Sequence, residues 1–206
     1  MSLSITNSLR KLLSTPIIYS TFQEAIGASS SRRKFVDVYM KPNVGDQVLD
    51  IGCGPGDILP FLPKVKYIGF DMSKSYIDAA ISKYGDHGEF IHQALDETNV
   101  QNFATNDIVL AIGVLHHLND SEVCNLFKIA FTALKDGGRL ITFDGVYLDN
   151  QSPIARYLLD NDRGQYVRTA VEYERLAKSV FPGVTSYIRR NLLRIPYDHI
   201  ILECTR

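Results

Sequence analysis

The stretch that decides the fold is Val48-Leu49-Asp50-Ile51-Gly52-Cys53-Gly54-Pro55-Gly56-Asp57. Its first half predicts a short buried strand over Gln47–Ile51, and its second half predicts a glycine-rich turn. Glycines at positions 52, 54 and 56 let the backbone turn sharply and approach a ligand more closely than a Cβ atom would allow. The amides at the start of a following helix favour an anionic group. A strand that runs into such a loop predicts a ligand site at the carboxyl end of a parallel sheet.

A dinucleotide-binding loop, G-x-G-x-x-G, is the alternative for this glycine pattern. Here the third glycine comes one residue early, Asp57 follows the loop, and Asp50 lies at the strand end beside it. A carboxylate is poorly placed beside a pyrophosphate but suits an ammonium or sulfonium centre. The loop therefore favours a cationic nucleoside ligand without phosphates.

Apolar runs alternate with helical periodicity along the rest of the chain. Helices are predicted after Ser73, after a cap at Asp120 or Ser121 with Gly137 as the stop, and near Val171–Phe181. The extended runs are Lys66–Asp71, Glu89–Gln93, Asp107–Ile112, Arg139–Phe143, Val184–Leu193 and His199–Cys204. The link between the last two runs is short enough for an antiparallel pair. The alternation is typical of an α/β protein with a parallel sheet.

A second candidate ligand residue is Asp71, which ends the second predicted strand 19 residues after Gly52. A strand-end acid at this distance can accept hydrogen bonds from ribose hydroxyls. The neighbouring Met72 offers an apolar, polarizable side chain to an adenine ring. The structural alternative is that Asp71 is a solvated turn residue or a helix cap. Its position at a strand end, at this distance from the glycine loop, favours the ribose role.

From about Arg32 to the C-terminus, the sequence resembles the class I S-adenosylmethionine-dependent methyltransferases. Four motifs carry the resemblance in the family's order: VLDIGCGPG at Val48–Gly56, the acid Asp71, the fourth-strand segment Asn106–Leu118 and the fifth-strand entry Leu134–Leu140. The resemblance implies a Rossmann-like, doubly wound seven-stranded sheet, mostly parallel with an antiparallel last strand and helices on both faces. It also implies S-adenosylmethionine as the cofactor and methyl transfer to an oxygen, nitrogen or carbon atom of an acceptor.

The resemblance further implies a set of cofactor-binding positions. The backbone of Gly52 and Gly54 would lie against the methionine moiety, and Ile112 would line the floor of the site. An acid that directly follows the third strand in many relatives is absent here, so either Asp96 or the backbone near Leu95 would bind the adenine amino group. The predicted cofactor-binding residues are thus Asp50, Gly52, Cys53, Gly54, Asp71, Met72, Leu95, Asp96 and Ile112.

His116 and His117 follow the fourth predicted strand, at the mouth of the expected site. A histidine there could deprotonate an acceptor hydroxyl, because its ordinary pKa of about 6.5 suits a base near neutrality. The structural alternative is that one ring packs against the sheet and the other caps a turn. A sulfonium methyl is already activated, so we expect positioning to dominate catalysis and assign the catalytic role to neither histidine. No further histidine or carboxylate cluster stands at the spacing of metal ligands, so the sequence does not predict a metal site.

The segment 162–168 lies in the long connection after the fifth strand, where an insertion commonly covers the acceptor pocket. Tyr166 or Arg168 could orient an acceptor there. The alternative is that Arg163 and Arg168 pair only with surface acids such as Glu172.

The composition of the chain bears on the number of domains, the role of the N-terminal segment and the cellular location. The 206 residues are 45% hydrophobic, which fits one globular domain, with 1–31 as an N-terminal helical cap. Residues 1–23 overlap in composition with transit peptides, but Ile18, Phe22 and Ile26 share a helical face, which favours a helix of the mature fold. Three scattered cysteines and the lack of a membrane span or secretion signal predict a cytoplasmic protein.

The charge balance bears on the partner. Twenty-two basic and 23 acidic residues leave a net charge of −1, which favours a small-molecule acceptor and indicates neither a nucleic-acid nor a membrane partner. The sequence does not predict an oligomeric state. A nicotinamide-dependent oxidoreductase and a non-catalytic cofactor-binding subunit are the alternative functions.

Overall fold

The computed structural model describes residues 27–162, 164–190 and 192–206. The predicted N-terminal helix with Ile18, Phe22 and Ile26, and most of the predicted cap 1–31, lie outside the described residues, as does Arg163. The domain boundaries therefore stay a prediction.

One sheet forms the centre of the described chain. Its strands are β1 (Gln47–Ile51), β2 (Lys66–Asp71), β3 (Glu89–His92), β4 (Asn106–Ile112), β5 (Leu134–Tyr147), β6 (Arg168–Thr169), β7 (Gly183–Arg189) and β8 (His199–Thr205). The order is β3-β2-β1-β4-β5-β8-β7, and the two-residue β6 pairs with β5 beside this path. The first five strands are mutually parallel, whereas β8 runs antiparallel to both β5 and β7. The predicted fold class, with an antiparallel last strand, is confirmed.

Helices cover both faces of this sheet. They are α1 (Ala28–Phe35, continued by a π-helical turn over Val36–Met40), α2 (Lys74–Tyr84), α3 (Asp120–Ala133), α4 (Pro153–Asp160) and α5 (Ala170–Lys178). Because successive strand residues point to opposite faces, the central strands feed two apolar layers. Leu49 and Val109 pack with α3 and α5, while Val48 and Ile108 pack with α1 and α2.

The start of α3 differs from the prediction. Asn119, rather than Asp120 or Ser121, is the N-cap, because its side chain accepts hydrogen bonds from the amides of Ser121 and Glu122. The Glu122 carboxylate accepts the Asn119 amide in return at 2.8 Å, which completes a capping box. The helix ends at Ala133, so Gly137 is not its stop but lies within β5.

The chain after the fourth strand holds two further differences. β5 extends four residues beyond the predicted Phe143 to Tyr147, and the connection that follows contains α4, a helix that was not among the predicted ones. Pro153 at the first helical position and the Ser152 side chain, which accepts the Ala155 amide, start this helix. Both features bring the connection back over the carboxyl end of β5.

Within the described ranges, no helix combines the length and the apolar character that crossing a membrane requires.

Candidate cofactor and acceptor site

The predicted cofactor-binding residues gather at one edge of the sheet. β1 lies between β2 and β4, which is the point where the strand order reverses. In open α/β sheets, ligands bind at the carboxyl ends of the strands at such a point. Ile51, Asp71 and Ile112 end these three strands, so the residues that follow them share that edge.

The glycine loop is tied to the neighbouring strand. The amides of Gly52 and Cys53 both donate to the Phe70 carbonyl, at 2.8 and 2.9 Å. Gly52 has a φ of +74°, and a Cβ on it would lie 2.7 Å from Cγ2 of Val114. No heavy atom lies within 4 Å of the corresponding Cβ position on Gly54. The loop is therefore packed at Gly52 and open at Gly54, where a ligand could approach the backbone.

Gly52→Ala is expected to destabilise the fold, because alanine would carry both an unfavourable φ and a collision with Val114. We expect a loss of about 2–4 kcal/mol in the free energy of unfolding, measured by urea denaturation. Gly45→Ala is the matched control, since Gly45 has a φ of +90° with no heavy atom within 4 Å of its Cβ position. That variant should lose only about 1–2 kcal/mol. Equal losses in the two variants would contradict the packing role of Gly52.

Asp71 joins the glycine loop to the start of α2. Its Oδ2 accepts the Gly54 amide at 2.9 Å, and its Oδ1 accepts the Ser73 amide at 2.7 Å. Ser73 is the N-cap residue of α2 but makes no side-chain capping bond. Each carboxylate oxygen can accept more than one hydrogen bond, so Asp71 is fixed by the backbone and keeps acceptor capacity for a ligand.

Asp50 is a buried carboxylate below the loop. The Tyr67 hydroxyl donates to its Oδ2 at 2.7 Å, while its Oδ1 has no hydrogen-bond partner in the described part of the chain. Burial raises the pKa of Asp50 to about 6, with a further rise from the Asp71 charge and an opposing effect of the Tyr67 hydrogen bond. Asp50 is therefore mostly ionised at neutral pH and has one oxygen free to face a cationic group.

Cys53 lies within the glycine loop, and Met72 directly follows Asp71. Burial, and then the Asp50 and Asp71 charges, raise the pKa of the Cys53 thiol well above its ordinary range. The thiol stays protonated, so it does not act as a nucleophile at neutral pH. Met72 is 72% exposed and offers an uncovered apolar side chain beside Asp71.

Asp96 and Leu95, the alternatives for adenine recognition, differ in their surroundings. Asp96 Oδ1 accepts three hydrogen bonds, from the amide and hydroxyl of Thr98 and the amide of Asn99, and the Thr98 side-chain bond leads in lowering the pKa of Asp96. This carboxylate closes a local turn. Leu95 is buried in the apolar layer that contains Leu49 and Val109. The geometry favours the backbone near Leu95 over the Asp96 side chain.

The two candidate histidines occupy different environments. His116 is buried, and its Nδ1 lies 2.8 Å from Oδ1 of Asp144, whereas His117 is exposed with its ring 4.2 Å from that of His116. Burial acts to lower the pKa of His116, but the Asp144 hydrogen bond and the charges of Asp144 and Asp162 outweigh it and raise that pKa. The structure therefore singles out His116.

Asp144 is the site residue that sequence analysis missed. It directly follows Phe143, whose carbonyl accepts the Gly113 amide at 2.8 Å, so it lies beside the end of β4. Its Oδ2 is buried and lacks a hydrogen-bond partner among the residues described. An acid immediately after a predicted parallel strand is the same signal that pointed to Asp71, and it could have identified Asp144.

Arg168 has a structural role instead of facing open solvent. Its guanidinium donates to the carbonyls of Leu115, Tyr166 and Leu118 and to the Asp120 carboxylate. Glu172, the example of a surface acid in the alternative interpretation, instead completes a capping box with Thr169 at the start of α5. Arg168 therefore fixes the turn that carries His116, and Tyr166 remains partly exposed.

The described ranges contain no group of three His, Cys, Asp or Glu side chains that could hold a metal ion.

Comparison with known protein families gives a match over the centre of the chain. The family described as a methyltransferase domain matches residues 48–138, which run from β1 into the first part of β5. A search of curated proteins finds no match.

Solved structures share the fold at low sequence identity. The pyocyanin biosynthetic protein PhzM has a TM-score of 0.71 at 15% identity, over 96% of this chain and 61% of its own. A putative O-methyltransferase from Nostoc punctiforme PCC 73102 has a TM-score of 0.67 at 17% identity, over 87% of this chain and 57% of its own. Magnesium protoporphyrin IX methyltransferase (ChlM) from Synechocystis PCC 6803, solved with bound SAH, has a TM-score of 0.66 at 17% identity, over 98% of this chain and 99% of its own.

The chain thus spans about three fifths of the length of the first two of these proteins. The strand order and the antiparallel β8 agree with methyltransferase folds. The glycine loop and Asp71, at the carboxyl ends of β1 and β2, both lie within residues 48–138, the part of the chain that matches the methyltransferase domain family, and this match agrees with the resemblance to the class I S-adenosylmethionine-dependent methyltransferases.

Proposed function

We propose that this protein transfers a methyl group from S-adenosylmethionine to an oxygen atom of a small hydroxylated molecule. The observation that carries the proposal is the buried His116–Asp144 pair next to the carboxyl ends of β4 and β5. A hydroxyl must lose its proton to become a strong nucleophile, whereas a neutral amine already has a free electron pair. A carboxylate-paired histidine at this position favours a hydroxyl acceptor over an amine or a carbon atom.

The loop residues fit the family's cofactor. The open backbone at Gly54 leaves room for the methionine end of the cofactor. The remaining acceptor capacity of Asp71 suits the ribose hydroxyls. The buried Oδ1 of Asp50, which has no hydrogen-bond partner among the described residues, suits a cationic centre. Cys53 and Met72 would flank the nucleoside, Ile112 would form the floor, and the backbone at Leu95, instead of Asp96, would meet the adenine. The bound cofactor supplies a methyl group already activated on a sulfonium.

The protein's own part is positioning and proton removal. With the imidazole proton on Nδ1 and directed at Asp144, Nε2 of His116 is the atom left to accept the hydroxyl proton. Asp144 holds the ring in place and stabilises the imidazolium that results. Nε2 of His116 would take the proton of the acceptor hydroxyl, so that the oxygen becomes a nucleophile for the methyl group that the cofactor would supply, with S-adenosylhomocysteine as the leaving group.

A neighbouring structure and the overall charge agree with a small acceptor. One structural neighbour is described as a putative O-methyltransferase. The net charge of −1 gives no general attraction to nucleic acids.

Ligand-induced thermal shifts test the cofactor assignment. A ligand that binds only the folded state adds about 2.7 kcal/mol at one hundred times its Kd, which corresponds to about 5–10 °C in Tm for a chain of this size. S-adenosylmethionine and S-adenosylhomocysteine should raise Tm by this order, and NAD and NADP should leave it unchanged. A shift with NAD alone would favour an oxidoreductase and contradict the proposal.

The acceptor class needs a turnover measurement. A panel of small hydroxylated molecules and matched amines is incubated with the protein and S-adenosylmethionine, and formation of S-adenosylhomocysteine is followed. We expect turnover with hydroxylated compounds. Thermal stabilisation by the cofactor with turnover on amines only would refute the oxygen acceptor, and stabilisation without any turnover would favour a non-catalytic subunit.

A further inference from the structure

The side chain of Arg168 binds both ends of the short helical turn that carries His116. This turn spans Leu115–His117, shortly after β4. The guanidinium donates to the Leu115 carbonyl at 3.0 Å and to the Leu118 carbonyl at 2.6 Å, which lie before and after the two histidines in the chain. Because one rigid group binds carbonyls on both sides of His116, the turn cannot tilt without breaking one of these bonds.

The main chain of the same residue is fixed to β5. Arg168 belongs to the two-residue strand β6 and pairs with Val146, two positions after Asp144. Asp144 carries the carboxylate whose Oδ1 lies 2.8 Å from Nδ1 of His116. Through its side chain and its main chain, Arg168 therefore joins the two segments that carry the histidine–aspartate pair.

Tyr173 adds a second connection to the Asp144 end of β5. Its ring lies beneath the Arg168 guanidinium, whose central carbon is 5.7 Å from the ring centroid. Its hydroxyl donates at 3.2 Å to the carbonyl of Gly145, the residue directly after Asp144. Tyr173 is fully buried, and burial followed by the Asp144 charge raises the pKa of its phenol well above the ordinary range. The hydroxyl therefore remains a hydrogen-bond donor.

We infer that Arg168 is a positioning residue which, together with Tyr173, holds the imidazole of His116 against the Asp144 carboxylate. The inference rests on the proposed function only for the use of His116 as the base. A guanidinium suits this task because its planar fork presents several N–H groups in fixed directions, whereas an ammonium is a compact point charge. The Arg168 side chain is 7% exposed, so water does not readily replace a lost bond.

The contact between the two side chains determines how well His116 acts as a base, because it fixes which ring nitrogen faces the acceptor. A displacement of about 1 Å in a reacting group can lower a rate by about 10²-fold. Burial disfavours the imidazolium, but the Asp144 hydrogen bond outweighs burial and raises the pKa of His116. A looser pair would therefore show both a lower rate and a lower His116 pKa. A residue that only stabilises the fold would change neither quantity in the folded protein.

Other charged and titratable groups near His116 come from several elements. The His117 ring lies 4.2 Å from its own, and the Asp162 charge, from the connection after α4, favours the imidazolium. On β8, burial lowers the pKa of His199 to about 4, so this ring is neutral above that pH. Arg168→Lys leaves all of these groups in place and keeps a positive charge. A change in the His116 pKa in this variant therefore reports on position and not on charge.

The test compares Arg168→Lys with wild type by NMR titration of the histidine side chains, in the whole chain without added ligand. His116 is assigned from the His116→Gln variant. We expect the pKa of His116 to fall by about half a unit or more, because the Asp144 bond that raises it is weakened. In turnover assays kcat should fall by about 10²-fold, while the Kd of S-adenosylhomocysteine and the KM of the acceptor stay close to wild type.

Arg175→Lys is the matched control. Arg175 lies on α5 and pairs with one oxygen of the Asp120 carboxylate, whose other oxygen binds Arg168. Its side chain is 64% exposed, so the same substitution there changes an ion pair to the same acid at the surface. The His116 pKa and kcat should both be unchanged in this variant.

Tyr173→Phe tests the same connection by a milder change, and it decides the outcome if Arg168→Lys does not fold. The substitution keeps the ring beneath Arg168 and removes the hydroxyl that binds Gly145, without altering any charge. The pKa of His116 and kcat should shift in the same direction as in Arg168→Lys, by smaller amounts. An unchanged pKa and rate in folded Tyr173→Phe would contradict the inference.

A double variant shows whether Arg168 acts through His116. In the His116→Ala background, Arg168→Lys should lower the rate little further, because the group that it positions is already absent. The inference would be overturned by a wild-type pKa and kcat in folded Arg168→Lys, or by an equal loss of rate with and without His116. The titration uses no cofactor and no acceptor, so it is separate from the proposed function. A shifted His116 pKa together with full activity in His116→Ala would keep Arg168 as the residue that holds the pair and reject the histidine as the base.

Discussion

His116→Ala is expected to lower kcat for methyl transfer by about 10²–10⁴-fold, the usual effect of removing a general base. From the sequence alone, neither His116 nor His117 could be preferred as the base. A modest effect on kcat was expected from the loss of either one, because a sulfonium methyl needs little further activation. The structure changes that expectation for His116, because its Nδ1 lies 2.8 Å from the carboxylate of Asp144, which is buried away from solvent. The readout is the single-turnover rate at saturating cofactor, on the hydroxylated acceptor that proves most active.

The pH profile gives this prediction a second readout. The Asp144 hydrogen bond and charge raise the pKa of His116 above its ordinary value, and the base is active only when deprotonated, so the midpoint of the rise in wild-type rate with pH should lie above the ordinary pKa of a histidine. His116→Ala should lose this limb. Asp144→Asn should keep part of the rate and move the limb to lower pH, because the partner that raises the pKa is weakened.

His117→Ala is the matched control. This neighbour is exposed, and its loss should change the rate only a few-fold with the pH limb retained. Cofactor affinity should be unchanged in both variants, since neither ring belongs to the glycine loop. A nearly normal single-turnover rate in folded His116→Ala, with the acid limb intact, would remove His116 from the mechanism.

The strands around the cofactor loop could be predicted from the sequence because their signals are local. β1 and β2 match the predicted bounds to the residue, since each is a short apolar run that ends at a glycine loop or an acid. The antiparallel pairing of β7 with β8 followed from the short link between them. In each case chain connectivity, rather than tertiary contact, decides the outcome.

Features that depend on tertiary contacts were not predictable in the same way. β5 continues past Phe143 because β8 pairs with it as far as Gly145 and β6 pairs with Val146 and Tyr147. Neither pairing leaves a periodic signal in β5 itself. The N-cap of α3 was displaced by one residue because Asn119, Asp120 and Ser121 are all good capping residues, and only the reciprocal bond with Glu122 selects Asn119.

The residues of the candidate site also fall into two groups, those that local sequence predicts and those that only tertiary contacts bring together. The candidate cofactor residues lie on consecutive strand ends, and motif spacing is enough to bring them together. The partner of His116 is 28 positions away in sequence, on β5, and only the fold shows that Asp144 holds this ring. Arg168 illustrates the reverse case, since a charged residue in a polar loop proved to hold three backbone carbonyls.

Asp71→Ala is expected to weaken S-adenosylmethionine binding by about 2–4 kcal/mol, or roughly 30–900-fold in Kd. Two losses contribute. The ribose hydroxyls lose their charged acceptor, and the Gly54 amide loses the bond that fixes the loop. The measurement is isothermal titration with S-adenosylhomocysteine. Asp78→Ala is the control and should bind normally, because Asp78 forms an ion pair with the exposed Lys74 in the first turns of α2.

An analogue without the two ribose hydroxyls separates these losses. If Asp71 binds the ribose, wild type should bind a 2′,3′-dideoxy analogue much more weakly than the natural ligand, and the penalty of Asp71→Ala should be clearly smaller with this analogue, because only the loss of the loop bonds remains. If Asp71 only fixes the loop, the alanine variant should suffer the same penalty with both ligands, because the Gly54 and Ser73 bonds are lost in either case. An equal penalty would therefore reject the ribose role while keeping Asp71 as a structural residue. Unchanged affinity for the natural ligand in the folded variant would reject both.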